Sequence, residues 1–269
     1  MKRTGQNRSS AVMAQRHEAL DSLDDFPTPC WATRALCEFL QAEDIGLHGR
    51  RVREPCANRG YMVRPLQEYA AEVIASDIFD YGAGYAVRDY LNPMSDLLDG
   101  DDDDGDDLVT NQPYRLSVEF VLEGLRRVPG VCAFFLRSNW TEGAERYHSL
   151  FHGNAPTFQL QFSERVILAK GRLLDPDRKY RFPIRKKPGQ FEWRKPSTAT
   201  SYSWFVWDPR RRGVWSDRTT IVWIPPGTRQ ALTRPGDYDV VGKVSARGDG
   251  LGDDGPGEAD QNDFLGEVT

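Results

Sequence analysis

Two short polar segments follow predicted buried strands, and their residue types could bind a nucleoside and an amine. The first is Glu54-Pro-Cys-Ala-Asn-Arg-Gly60, between a predicted strand and a predicted helix, and Asp77 ends the next predicted strand. In an open α/β sheet, a ligand lies beyond the carboxyl ends of the strands, where a glycine-containing turn approaches it and an acidic residue accepts hydrogen bonds from ribose hydroxyls. The pattern predicts a site for a nucleoside-containing cofactor. The alternative is an ordinary turn followed by an exposed aspartate.

The second segment is Asn111-Gln-Pro-Tyr114, which directly follows another predicted buried strand. Asn111 offers a side-chain carbonyl oxygen, Gln112 offers a backbone carbonyl, and Tyr114 offers a flat ring. Together these groups can accept both hydrogens of an exocyclic amine while the ring stacks on its base. An ordinary turn is again the alternative interpretation.

Alternating strand and helix patterns position both segments. Helical spacing of apolar residues predicts helices over 29–42, 61–70 and 118–128, and short apolar runs predict strands over 51–54, 71–75, 108–110 and 131–136. This alternation predicts an α/β fold, in which helices cover both faces of a mostly parallel sheet. Three later runs are rich in aromatic and β-branched residues and predict an antiparallel pair at a sheet edge: 158–168, 201–207 and 219–223.

The composition fits one folded domain with polar ends. The chain has 269 residues, of which 39% are hydrophobic and 11% aromatic. These values allow a single sizeable core and exclude a wholly disordered chain. We expect a disordered segment over 1–22, a folded domain over 23–235 with a solvated acidic loop at 99–107, and an acidic disordered tail over 236–269.

Membrane, disulfide and metal functions are not indicated. No apolar run approaches the roughly 20 residues that cross a bilayer, and the first residues lack the apolar stretch of a signal peptide. The four cysteines are dispersed and form no CxxC motif, which argues against a zinc ribbon or a disulfide scaffold. We expect a cytoplasmic protein without a membrane or metal partner.

The charge distribution indicates a nucleic-acid partner in spite of a net charge of -5. The segment 171–197 contains nine Lys or Arg residues against three acids, and such residues bind phosphate by displacing counterions. Aromatic residues lie among them, and Phe182, Phe191 or Trp193 could stack on bases. The alternative is an ordinary solvated loop. The predicted nucleic-acid-binding residues are Arg178, Lys179, Arg185, Lys186, Lys187, Arg194 and Lys195.

Five motifs in order resemble the class I S-adenosylmethionine-dependent methyltransferases, and among them most of all the phage-type adenine-N6 DNA methyltransferases. The motifs are Asp25-Phe-Pro-Thr-Pro29, Glu54-Pro-Cys-Ala-Asn-Arg-Gly60, Ser76-Asp77-Ile78, Asp89-Tyr90-Leu91 and Asn111-Gln-Pro-Tyr114. The segment Ala199 to Trp207 is similar to that family's final strand. The resemblance implies a Rossmann-like fold with a mostly parallel seven-stranded sheet, an antiparallel edge hairpin and helices on both faces.

The resemblance also implies roles for individual residues. Phe26, Thr28 and Pro29 would close over the methionine end of S-adenosylmethionine. The cofactor turn would consist of Glu54, Pro55, Asn58 and Gly60. Asp77 with Ile78 would bind the ribose, and Asp89 with Tyr90 would contact the cofactor's adenine. Asn111, which also borders the cofactor, would hold a flipped adenine together with Gln112, Pro113 and Tyr114 and polarise its N6 amine. Methyl transfer would then need no covalent enzyme intermediate.

Two positions depart from the family pattern. The family usually has glycine where Asn58 stands, and asparagine tolerates the same positive φ but adds a side chain beside the cofactor. It usually has proline where Gln112 stands, so the backbone carbonyl is kept but is less rigidly held. Two alternative functions follow. One is a methyltransferase acting on another planar amine or amide, in RNA or a protein glutamine, and the other is a degenerate, non-catalytic nucleic-acid-binding module.

Overall fold

The computed structural model describes residues 24–92, 105–184, 187, 189–211 and 217–239. Several sequence-based expectations lie outside the described residues. They concern the segment 1–22, positions 99–104 of the acidic loop, Arg185, Lys186 and positions 240–269 of the tail.

Eight strands form the central sheet, and two more form a separate pair. The central strands are β1 (Arg51–Glu54), β2 (Glu72–Asp77), β3 (Ala86–Val87), β4 (Asp107–Thr110), β5 (Cys132–Arg137), β6 (Phe158–Phe162), β9 (Tyr202–Trp207) and β10 (Thr220–Ile224). Their spatial order is β10-β6-β9-β5-β4-β1-β2-β3. The separate pair is β7 (Tyr180–Pro183) with β8 (Phe191–Arg194), which run antiparallel. We call this pair the basic hairpin.

The order of the first five strands defines the fold. From the edge inward they run β3-β2-β1-β4-β5, all in parallel, and the order reverses between β1 and β4. This is the strand order of the Rossmann fold, in which ligands bind at the point of reversal. The chain has a Rossmann-like α/β fold. The predicted mostly parallel sheet is therefore confirmed.

The outer half of the sheet differs in detail from the prediction. Among the described residues the sheet has eight strands rather than seven, and the antiparallel pair of β6 and β9 does not lie at the very edge, because β10 pairs with β6 in parallel. Strand β9 is antiparallel to both of its neighbours, β5 and β6. All six residues of β9 are buried, which explains its aromatic-rich sequence, since a strand covered on both faces has no polar alternation. The edge strand β10 exposes Ile221 and Trp223.

Two of the three predicted helices, 29–42 and 118–128, lie within one residue of the observed bounds, and the third, 61–70, is an exception. The observed helices are α1 (Cys30–Ala42), α2 (Val63–Leu66), α3 (Ser117–Arg127), α4 (Ala144–Arg146), α5 (His152–Asn154) and α6 (Thr228–Leu232), with a π-helical turn over Tyr147–Phe151. The exception is α2, which is shorter than the predicted 61–70. Pro65 has no N–H to donate to the carbonyl of Tyr61, and the Cys30 Sγ donates to that carbonyl instead, at 3.2 Å.

Two apolar cores lie on opposite faces of the sheet, which confirms that helices cover both faces. Residues that alternate along one strand belong to different cores, as the period of two in a strand requires. Phe135 packs with Leu36 of α1 on one face, and Phe134 packs with Phe120 and Val121 of α3 on the other. These packed helices fix the carboxyl ends of β1, β2 and β4, from which the candidate site is built.

Candidate functional site

A cleft of about 210 Å³ lies beyond the carboxyl ends of β1, β2 and β4, at the point where the strand order reverses. The sequence-predicted residues that line it are Phe26, Thr28, Pro55, Asn58, Asp77, Ile78, Asp89, Tyr90, Asn111 and Pro113. They come from five separate parts of the chain. The fold thus brings most of the predicted cofactor residues to one place.

Asn58 is held in the wall of the cleft by its own polar groups. Its φ is +50°, in the left-handed region that asparagine tolerates better than most residues. The side-chain Nδ2 donates to Asp25 at 2.7 Å, and the Oδ1 accepts from the backbone N–H of Arg59 at 2.8 Å. Arg59 also forms a buried ion pair with Asp25 at 3.1 Å. The side-chain amide of Asn58 is therefore part of a network with the buried residues Asp25 and Arg59.

Asp77 borders the cleft and holds the turn after β1. Its carboxylate accepts the backbone N–H of Asn58 at 2.9 Å and that of Phe79 at 3.0 Å. Burial raises the pKa of Asp77 to about 6, against the lowering effect of these two donors. Each oxygen has one protein donor, so the carboxylate keeps capacity to accept hydroxyl groups from a ligand.

Glu54 is fully buried behind the cleft and does not line it. Its Oε1 accepts from the Thr110 hydroxyl at 2.7 Å and from the backbone N–H of Cys56 at 2.9 Å. Burial raises the pKa of this carboxyl to about 8, although both donors lower it. Glu54 is accordingly protonated near neutral pH, and it ties the end of β1 to the end of β4.

Asn111 has a fixed orientation at the cleft. Its Nδ2 donates to the backbone carbonyl of Phe26 at 2.9 Å and to the Thr28 hydroxyl at 2.8 Å. Both donor hydrogens of the amide are engaged by these two acceptors. The group that Asn111 can offer to a ligand is therefore its carbonyl oxygen, a hydrogen-bond acceptor.

Pro113 borders the cleft, whereas Gln112 and Tyr114 of the second segment do not. Gln112 is buried outside the cleft lining, and its side-chain amide has no hydrogen-bond partner among the described residues. Tyr114 also lies outside the lining and stacks on Tyr202 at 6.1 Å, with the Arg137 guanidinium 5.3 Å from its ring centroid. Its backbone N–H donates to Asp24 at 2.9 Å. The ring predicted to stack on a base therefore packs against other side chains in this structure.

Pro29 and Gly60 also lie outside the cleft lining. Pro29 immediately precedes α1, and the N–H of Gly60 closes the turn after β1 by donating to the carbonyl of Ala57 at 2.8 Å. Each is next in the sequence to a residue that does border the cleft.

Several residues of the cleft were missed by the sequence analysis. Among them are Asp24, Tyr81, Arg88, Leu91, Arg115 and Phe120. Tyr81 lies 4.8 Å from the Arg59 guanidinium, and Phe120 stacks on Tyr90 at 5.4 Å. Arg88 and Leu91 could have been predicted from their positions close to Asp89 in the sequence. The sequence contains no such signal for Phe120, because its helical spacing is that of any core residue.

The basic segment 171–197 is connected to the same region. The backbone N–H of Gly171, its first residue, donates to the carbonyl of Asp25 at 2.8 Å. The predicted nucleic-acid-binding residues that the structure describes are all exposed: Arg178, Lys179, Lys187, Arg194 and Lys195. The segment therefore begins beside Asp25, whose side chain binds Asn58, and the basic hairpin follows from Tyr180 onward.

Neither a membrane span nor a metal cluster is found in the part of the chain that the structure describes. No helix there is long and apolar enough to cross a bilayer. No group of three or more His, Cys, Asp or Glu residues there could hold a metal ion.

Comparisons with known proteins give similarity at the level of solved structures. No protein-family model and no curated protein matches the sequence. A Listeria monocytogenes protein assigned to the class I S-adenosylmethionine-dependent methyltransferases matches with a TM-score of 0.48 and 8% identity, over 82% of this chain and 72% of that one. A type I restriction-modification methyltransferase subunit from Streptococcus thermophilus matches with a TM-score of 0.46 and 11% identity, over 74% of this chain. The match spans about half of that subunit, 47%. A Pyrococcus horikoshii protein assigned as an RNA methyltransferase matches with a TM-score of 0.41 and 16% identity, over 74% of this chain and 95% of that one.

Proposed function

We propose that this protein is an S-adenosylmethionine-dependent methyltransferase that methylates the N6 amine of adenine in DNA. The observation that carries the proposal is the orientation of Asn111. Phe26 and Thr28 engage both hydrogens of its amide, so that a carbonyl oxygen is offered at a cleft that is also lined by three aspartates, Asp24, Asp77 and Asp89. An amine donor and a nucleoside are the ligands that such a set of acceptors suits.

The residues of the cleft fit the cofactor chemically. Asp77 and Asp89 border it as hydrogen-bond acceptors, and Tyr90, Leu91 and Phe120 supply apolar wall for a purine ring. The volume of about 210 Å³ is below the roughly 300 Å³ at which sites for whole drug-sized ligands begin. S-adenosylmethionine, which is as large as such ligands, would therefore fill the cleft and extend beyond it.

The chemistry assigned to the chain is positioning rather than covalent catalysis. The cofactor supplies an electrophilic methyl group on a sulfonium. The Asn111 carbonyl accepts a hydrogen from the target amine and directs the nitrogen lone pair, while Thr28 and the backbone of Phe26 keep the amide from rotating. Holding reactants in such geometry can account for a large part of a rate enhancement. A base within a duplex cannot reach the cleft, so the proposal includes base flipping.

DNA is favoured over other amine substrates by the basic hairpin. Its described basic residues are exposed, and the segment that leads into it starts at Gly171, which is hydrogen bonded to Asp25, whose side chain holds Asn58 of the cleft. A phosphate-binding surface suits a nucleic acid better than a protein glutamine. Adenine as the target base rests on the resemblance of the Asn111-Gln-Pro-Tyr114 motif.

Calorimetric titration with S-adenosylmethionine tests the first step. We expect saturable binding by the wild-type protein and its loss in Asp77→Ala. Since the pKa of Asp77 is about 6, binding should weaken as the pH falls below about 6 and the carboxylate gains a proton. No binding at pH 7.5, with or without DNA, would leave the degenerate binding module as the better description.

Nucleoside mass spectrometry of treated DNA tests the second step. We expect N6-methyladenine with the wild-type protein and at least a roughly 100-fold slower reaction with Asn111→Ala, as for loss of a transition-state hydrogen bond. Thr28→Val removes only one tether of the amide and should lower kcat about tenfold. Methylation of RNA or of protein glutamine in place of DNA would contradict the proposed substrate.

A further inference from the structure

The basic hairpin separates its side chains into two faces. The cross-strand partners are Tyr180 with Arg194, Arg181 with Trp193, Phe182 with Glu192 and Pro183 with Phe191. Side chains alternate along a strand and directly opposite residues share a face. One face, the inner face, therefore carries Tyr180, Phe182, Glu192 and Arg194. The other, the outer face, carries Arg181, Pro183, Phe191 and Trp193.

The inner face satisfies its polar groups within the protein. Tyr180 and Phe182 are half-buried, and the Tyr180 hydroxyl accepts the backbone N–H of Asp175 at 2.9 Å. Arg194 pairs with Glu192 at 3.0 Å and lies over the Phe182 ring at 4.2 Å. The charged groups of this face therefore already contact other groups of the protein.

The outer face is exposed along its whole length and carries no acidic residue. Phe191 is 39% exposed and Trp193 is 48% exposed. The Arg181 guanidinium lies 4.0 Å from the Phe191 ring centroid. A guanidinium stacked in this way still directs its N–H groups outward in the plane of the fork. The Trp193 ring makes no ring-stacking or cation–π contact with the described residues.

The acids of the segment that precede the hairpin are paired with basic residues other than Arg181. Asp175 pairs with Arg178 at 3.4 Å, and Asp177 pairs with Arg229 at 2.6 Å and with Lys195 at 3.5 Å. Glu192, the remaining acid, belongs to the inner face. Among the described residues, Arg181 forms no ion pair that would neutralise its charge. The outer face thus combines a net positive charge with two accessible aromatic rings.

We propose that the outer face binds DNA by stacking an unpaired base on Trp193 while Arg181 contacts an adjacent phosphate. This inference rests on the proposed function and deepens it, because it assigns base contact to one face and one ring of the hairpin. The positive charge of the outer face favours a polyanion as the partner. The exposed indole of Trp193 favours a polyanion with flat, unstacked rings. Phe191 is the weaker platform, since one side of its ring is already covered by Arg181.

Fluorescence anisotropy with labelled DNA, in the absence of any cofactor, tests this assignment. The probes are a duplex, the same duplex with one unpaired adenine, and RNA of the same sequence. We expect the wild-type protein to prefer the DNA with the unpaired adenine. Trp193→Ala should weaken that binding by roughly 5- to 100-fold and remove the preference, whereas Trp193→Phe should keep most of it.

The charge contribution gives a second, separate readout. Trp193→Ala should leave the slope of log K against log salt unchanged, and Arg181→Gln should reduce that slope by about 0.9. The matched controls are Trp223→Ala and Arg126→Gln, an exposed tryptophan on β10 and an exposed arginine on α3. Both should bind DNA as the wild-type protein does.

The outcomes separate this inference from the proposed function. Wild-type affinity for all DNA probes in Trp193→Ala would overturn it, even if methyl transfer occurs. Binding to RNA but not to DNA would also overturn it. Conversely, the expected effects of Trp193→Ala can be observed in a protein that binds no S-adenosylmethionine, in which case only the proposed function fails. Circular dichroism and thermal unfolding of each variant verify that the fold is intact.

Discussion

At the residue scale, Glu54 shows how burial changes the chemistry of a motif residue. In the sequence, the position of this carboxyl group at the end of β1 indicates a ligand-binding residue. In the structure, the group is completely buried, and burial raises its pKa to about 8. The folded protein therefore keeps a proton that the unfolded chain releases at its ordinary pKa of 4.5. By proton linkage, the contribution of Glu54 to stability falls as the pH rises from about 4.5 to about 8.

Replacing Glu54 with glutamine should remove this pH dependence. A glutamine carbonyl can still accept the hydrogen bonds from Thr110 and Cys56, but it does not ionise. We expect Glu54→Gln to become more stable relative to the wild type by at most about 1.4 kcal/mol per pH unit between pH 5 and pH 8. Urea unfolding across that range measures the difference. Glu145→Gln, at an exposed glutamate, is the control. If the two variants show the same difference in free energy of unfolding from the wild type at every pH, Glu54 is not a buried, protonated group.

At the element scale, the turn between β1 and α2 depends on two residues with positive φ. Asn58 has a φ of +50° and Gly60 a φ of +83°. A Cβ at Gly60 would overlap the Tyr85 hydroxyl, whereas a Cβ at Gly84, with a φ of +80°, would meet nothing within 4 Å. The two glycines thus share one backbone conformation in different surroundings.

This pair of glycines separates backbone strain from steric overlap. Gly84→Ala should lower the free energy of unfolding by about 1–2 kcal/mol, because a residue with a Cβ is strained in the left-handed conformation. Gly60→Ala should cost more, because Tyr85 must also move, and it should weaken S-adenosylmethionine binding by displacing Asn58. Urea unfolding gives both costs. Adding Tyr85→Ala to Gly60→Ala should recover the excess; if it recovers nothing, the overlap is not its cause.

At the scale of the whole molecule, Arg34 joins the end of the described chain to the first helix. Its guanidinium binds Asp237 through contacts of 2.6 and 2.9 Å and Glu68 through contacts of 2.8 and 2.9 Å. Arg34 and Asp237 are both buried. Asp237 lies within the segment 236–269 that the sequence analysis assigns to the acidic tail. The packed chain therefore continues at least two residues past the expected boundary at 235.

Removal of Asp237 should be strongly destabilising. We expect Asp237→Asn to cost roughly 2–4 kcal/mol, at or below the cost of breaking an isolated buried ion pair, because Glu68 remains beside Arg34. A chain that ends after residue 239 keeps this contact, and a chain that ends after residue 233 should be less stable than it by at least the cost of Asp237→Asn. Thermal and urea unfolding compare the three. Equal stability of both shortened chains would show that the contact contributes nothing.

The sequence by itself determined the elements and the residues at their carboxyl ends. Hydrophobic periodicity identified β1, β2, β4 and β5 and the helices between them, because periodicity depends only on neighbouring residues. In a parallel sheet the residues after successive strands meet at one edge. This rule is why the turn with Asn58 and the later Asp77 could be assigned to one nucleoside site from the sequence, and the family resemblance added Asn111 to it.

Only the tertiary structure decided which partners these elements and side chains have. The sequence contains no signal that β10 pairs outside β6, that the Tyr114 ring packs on Tyr202, or that Arg34 meets Asp237. It likewise predicts a basic segment at 171–197 but not the separation of its charges and rings onto two faces. Each of these contacts joins residues distant in the chain, up to 203 positions apart for Arg34 and Asp237. Such contacts depend on how whole elements pack, which no local pattern of residue types encodes.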